Sequence, residues 1–74
     1  MATVRDFTVE RLDNARPHEE VKTIVRLVDC GREKLIQIDT YGRPDREIPG
    51  KVSQTIRLDE AAFEKLVQIG KSHF

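Results

Sequence analysis

The sequence predicts an α+β domain in which an antiparallel sheet of three to four strands is followed by one C-terminal helix packed on it, ββββα in chain order. Two observations carry this. In residues 52–58, Val52, Gln54, Ile56 and Leu58 alternate with Ser53, Thr55 and Arg57, the period of a half-buried strand. From Asp59 onward the period changes to that of a helix, with Ala62, Phe63, Leu66, Val67, Gly70 and His73 on one side and Glu64, Lys65, Gln68, Lys71 and Ser72 on the other. An amphipathic helix must cover its apolar side, and the sheet ending at Leu58 is the nearest surface.

The earlier elements follow from shorter signals. Phe7 and Val9 alternate within residues 4–10, which predicts a first strand there. Asp13, Asn14, Pro17, His18 and two glutamates make residues 12–20 a loop. Residues 21–28 admit two readings. Val21, Ile24, Val25 and Val28 have helical spacing, but β-branched residues dominate, and Asp29, Cys30, Gly31 and Arg32 form a turn leading into the next strand. The hairpin is the favoured reading. Residues 34–41 form the clearest strand, with Ile36 and Ile38 toward the core. Turns are expected at Gly42 to Asp45 and at Ile48 to Lys51, with a charged loop of residues 42–51 around them. Asp59 is placed to cap the helix, and Glu60 complements its dipole.

Composition narrows the function classes. A chain of 74 residues is one domain, residues 1–74, with a small core and a net stability of about 4–11 kcal/mol. Burying surface against a second copy is attractive at that size. A homodimer is therefore expected, anchored by Phe63, Leu66, Val67 and Phe74. Thirteen basic and thirteen acidic residues cancel, so any attraction to nucleic acid must come from a local patch. The single cysteine, Cys30, fits a reducing compartment. With no apolar run of membrane-spanning or signal length, a cytoplasmic protein without membrane association is expected.

The search for chemistry is mostly negative. His18 and His73 have no partners at metal-ligand spacing, and Cys30 has no base beside it, so no metal, cofactor or nucleophile is assigned. Gly50 and Lys51 lack the earlier glycine and the following hydroxyl residue of a phosphate-binding loop. Asp45, Glu47 and Lys51 miss the spacing of a nuclease centre, and Asp39, Asp45 and Glu47 could hold a cation only if the loop folded back. A non-enzymatic protein is expected. What remains is a local basic excess, Arg43, Arg46, Lys51 and Arg57 against Asp45 and Glu47, with Tyr41 as a stacking ring.

The order of elements resembles the transcriptional positive cofactor four family of single-stranded-DNA-binding coactivators. The resemblance spans residues 34–69: Lys34 to Asp39, a turn at Tyr41, Gly42 and Arg43, then Pro49, Gly50 and Lys51, the strand Ser53 to Leu58, and a helix holding Phe63 and Leu66. It implies pairing through the helices and single-stranded DNA bound on the sheet, with Lys34, Arg43, Lys51 and Arg57 as counterparts of the family's contacts. Neutral overall charge then predicts modest affinity. The competing expectation is a protein-interaction module that docks through the charged loop with Ile48, or through a sheet edge.

Overall fold

The computed structural model describes residues 1–42 and 51–74. Among these residues four strands and one helix follow one another: β1 (Ala2–Val4), β2 (Thr23–Asp29), β3 (Lys34–Tyr41), β4 (Val52–Leu58) and α1 (Glu60–His73). The strands form one sheet in the order β1, β4, β3, β2. The α+β architecture with its C-terminal helix is as the sequence predicts. The sheet is mixed, because β1 joins β4 in parallel while β3 runs antiparallel to both of its neighbours, β2 and β4.

The first strand is shorter and earlier than the predicted 4–10. Its last pair is Val4 with Leu58, and β4 ends there because the helix begins at Glu60. Beyond Val4 no ladder partner is found among the described residues, so the alternation of Phe7 and Val9 joins no sheet there. The side chains instead turn to ion pairs, Arg5 with Glu33 and Asp59, and Asp6 with Lys65 of the helix. Residues 5–22 then connect the two edge strands of the sheet. That connection has to pass three strand spacings, about 14 Å.

Residues 23–29 are strand, as the β-branched content suggested. Their spacing of apolar residues is helical by coincidence, while seven consecutive pairs with β3 fix the extended form. In the hairpin turn, Asp29 Oδ1 accepts from the Gly31 N–H at 2.9 Å, and Gly31 takes φ +83°, a conformation that disfavours any residue with a Cβ. Between β3 and β4 the pairing passes from Thr40 with Gln54 to Tyr41 with Val52, so Ser53 is the extra residue of a bulge. The turns and charged loop expected beyond Gly42 fall on residues 43–50, outside the described residues.

Register sorts the side chains into two faces. One carries Val4, Leu58, Ile36 and Leu27 in a single row across all four strands, with Ala2, Ile56, Ile38 and Val25 in the next. The helix lies on this face, where Phe63 meets Leu27, Ile36 and Leu58 around a cleft. Asp59 caps it as predicted: Oδ1 accepts from the Ala62 N–H at 2.8 Å. Because only Asp59 separates strand from helix, the first turn is pinned to the sheet. Leu58 is 2% exposed and Ala62 fully buried.

That tight entry also rotates the helix away from the predicted arrangement. Ala62 is buried and Lys65 and Ile69 are partly covered, whereas Phe63 and Leu66 stay 42% exposed and Val67 and Phe74 are exposed as well. The helix thus has two apolar stripes, one closed by the sheet and one half open.

Candidate nucleic-acid interface

The opposite face of the sheet carries an apolar pair at one end, Val28 with Leu35, which is 7% exposed, and is mostly polar beyond it. Arg26, Gln37, Arg57 and Thr3 stand in one row across β2, β3, β4 and β1. Ile24, Asp39 and Thr55 form the next row, and Tyr41 lies beyond it. This arrangement follows from the two-residue period of three neighbouring strands, which puts every second residue on the same side.

Asp39 is the anchor of the face. It is only 3% exposed, yet its carboxylate is satisfied on both oxygens. Thr55 Oγ1 donates to Oδ1 at 2.7 Å, Arg26 Nε donates to Oδ2 at 2.9 Å, and Gln37 Nε2 approaches both oxygens at 3.1 Å. The Thr55 hydroxyl first, and then Arg26, hold the Asp39 carboxyl below the usual carboxylate range, against the opposing effect of burial. A buried acid that keeps its charge fixes its donors in place.

Those donors lead outward to the surface. Gln37 Oε1 accepts from Arg57 Nε at 2.7 Å, and Arg26 Nη2 donates to the Tyr41 hydroxyl at 3.0 Å. The Lys22 ammonium sits 5.7 Å from the centre of the Tyr41 ring. Arg57 commits its Nε to Gln37 and makes no other hydrogen bond or ion pair among the described residues, which leaves the two terminal nitrogens open. Arg57 also lines a cleft of about 280 Å³, together with Met1, Ala2, Thr3, Gln37 and Thr55.

The predicted site residues are only partly brought together. Arg57 and Tyr41 share the polar face. Lys51 precedes β4, six residues and roughly 20 Å along an extended chain from Arg57. Lys34 does not belong with them: it alternates with Leu35 onto the helix-covered side and lines the cleft with Leu27 and Phe63. Arg43 and Arg46 lie outside the described residues. Sequence reasoning missed Arg26, Lys22, Gln37 and Thr3. The alternation of Gln37, Asp39 and Tyr41 with Ile36, Ile38 and Thr40 was the signal that would have found the central ones.

Three protein side chains occupy the Asp39 oxygens, Asp45 and Glu47 lie outside the described residues, and among the described residues no group of three or more potential metal ligands is found. No helix among them is long and apolar enough to cross a membrane. Set against protein-family models, curated proteins and solved structures, the chain matches none.

Proposed function

We propose that this is a small non-enzymatic regulatory protein, cytoplasmic and dimeric, that binds single-stranded nucleic acid on the polar face of its sheet. The observation that carries the proposal is the row Arg26, Gln37, Arg57 and Thr3, with Tyr41 and Lys22 on the same face. Asp39 offsets one of the three cations. The remainder suits a few phosphates, with Tyr41 as a single stacking platform. A sheet face is also where the resemblance to the transcriptional positive cofactor four family implies binding.

The test is fluorescence anisotropy of a labelled oligothymidylate across a salt series. Affinity is expected to be modest and to fall linearly with the logarithm of salt, with a slope of about −0.7 for each phosphate neutralised. No binding at low salt would remove the proposal.

A second copy is the occupant proposed for the other face. Val25, Leu27, Ile56, Phe63 and Leu66 leave roughly 500 Å² of apolar surface in water, near the upper end of what a monomer tolerates. A standard interface buries about 800 Å² per partner, a little over half of it apolar, so the patch is the right size for a pair. Phe63, Leu66 and Val67 lie on its helical side, and Phe74 extends the chain beyond them. Docking on a different protein, through the charged residues 42–51 with Ile48 or through a sheet edge, is the competing reading. It predicts a stoichiometric protein partner that survives nuclease treatment, together with a monomer in isolation.

A further inference from the structure

On the polar face, the chemistry of Gln37 dictates the direction of its neighbours. Gln37 is partly covered, and its terminal amide lies between a carboxylate and a guanidinium. An ionised carboxylate only accepts and a guanidinium only donates, so one orientation of the amide serves both. Its NH2 must face Asp39 and its oxygen must face Arg57. Asp39 is in turn held by Arg26 and Thr55 from the strands on either side. The amide is therefore locked from below, and it takes the Nε edge of Arg57.

Occupying Nε decides how Arg57 meets a ligand. Of the approaches by which a guanidinium can grip an oxyanion with two parallel hydrogen bonds, the one through Nε is closed, and the one through Nη1 and Nη2 remains. Arg57 lines the cleft shared with Thr3 and Thr55, and no acidic side chain lines it among the described residues. We infer that Gln37 is a positioning residue: locked by Asp39, it aims the terminal nitrogens of Arg57 into the cleft beside Thr3, as the seat for one phosphate of the bound strand. This rests on the polar face being the nucleic-acid surface and adds where one phosphate sits and what orients its partner.

The test is a double-mutant cycle read by anisotropy on labelled oligothymidylate. Arg57→Ala should weaken binding by about three- to tenfold and make the salt slope shallower by about 0.7. Gln37→Met removes both amide hydrogen bonds at nearly constant volume and should give a large part of the same loss. The double variant should bind no worse than Arg57→Ala alone, because residues acting through one another are not additive. Gln37→Asn, which keeps an amide for Asp39 but falls one methylene short of Arg57, should reproduce the loss in case the methionine variant does not fold. In the wild type the Arg57 Nε–H should give a distinct, slowly exchanging resonance that both Gln37 variants lose.

The inference is overturned if the wild type binds and Arg57→Ala weakens it while the Gln37 variants bind like the wild type. It is equally overturned if the two losses add. If the wild type itself fails to bind at low salt, the reading of the face has failed, and Gln37 has nothing to position.

Discussion

Trimming Leu58 to alanine and trimming Leu27 to alanine should have very different consequences, although the two leucines stand in the same row of the same sheet face. Leu58 is 2% exposed beneath the start of the helix, whereas Leu27 on the edge strand is 88% exposed. A buried leucine lost from a core costs about 2.7–5 kcal/mol, part of it for the cavity left behind. Against a total of about 4–11 kcal/mol, that removes a quarter of the stability at least. For a domain of this size the melting temperature should drop by roughly 10–40 °C, and the weaker end of the range predicts outright unfolding. Leu27→Ala should move a monomer by no more than about 0.5 kcal/mol.

Thermal and urea melts at several protein concentrations separate the two. If a second copy covers the apolar face, wild-type melting rises with concentration, and Leu27→Ala abolishes that rise while barely changing the dilute limit. The reasoning fails if Leu58→Ala melts like the wild type. It fails too if Leu27→Ala is as damaging as Leu58→Ala at the lowest concentration.

Two further outcomes follow from the same geometry. Asp39 has a depressed folded-state pKa, so its stabilisation is complete above the unfolded value near 3.9 and is lost as pH falls below it. Wild-type melting temperature should therefore decline below about pH 4, and Asp39→Asn, less stable at neutral pH, should show a shallower decline; equal acid sensitivity would remove Asp39 from the account. Asp6, Glu33 and Asp59 are depressed as well, by Lys65, Arg5 and the Ala62 N–H in turn, so part of the decline should persist. Gly31→Ala meets no atom within 4 Å, so its cost should be backbone strain alone, about 1–2 kcal/mol by urea melts with an unchanged m-value; an unaltered midpoint would contradict the turn geometry.

The strongly periodic segments were legible in the sequence, and the reasons are physical. Residues 34–41, 52–58 and the helix after Asp59 each carry enough alternation or helical spacing for local pattern and tertiary burial to agree. The first strand was misplaced because its fate depends on where β4 ends, a long-range fact that Phe7 and Val9 do not encode. The turn of the helix was misjudged for a similar reason. A wheel gives a side, but the single residue between Leu58 and Glu60 sets the rotation that buries Ala62 and leaves Phe63 half open.

At the candidate site, the face that Arg57 takes was legible because β4 alternates. Lys34 was placed with Arg57 by position in the chain, and the alternation of β3 sets it on the other face of the sheet. Arg26 and Gln37 were overlooked since charge alone drew attention to the loop, while register across three strands is what aligns them with Arg57. Asp39 could hold a cation only if the loop folded back, and its surroundings are three donors, Arg26 and Thr55 from the neighbouring strands and Gln37 from its own.

The most direct measurement is a titration of isotope-labelled protein with oligothymidylate, followed by amide and side-chain chemical shifts. The account predicts that perturbations gather on Thr3, Arg26, Gln37, Tyr41 and Arg57, and leave Val25, Leu27, Phe63 and Leu66 unmoved. Perturbations confined to that apolar set, or an unaltered spectrum at low salt, would contradict it.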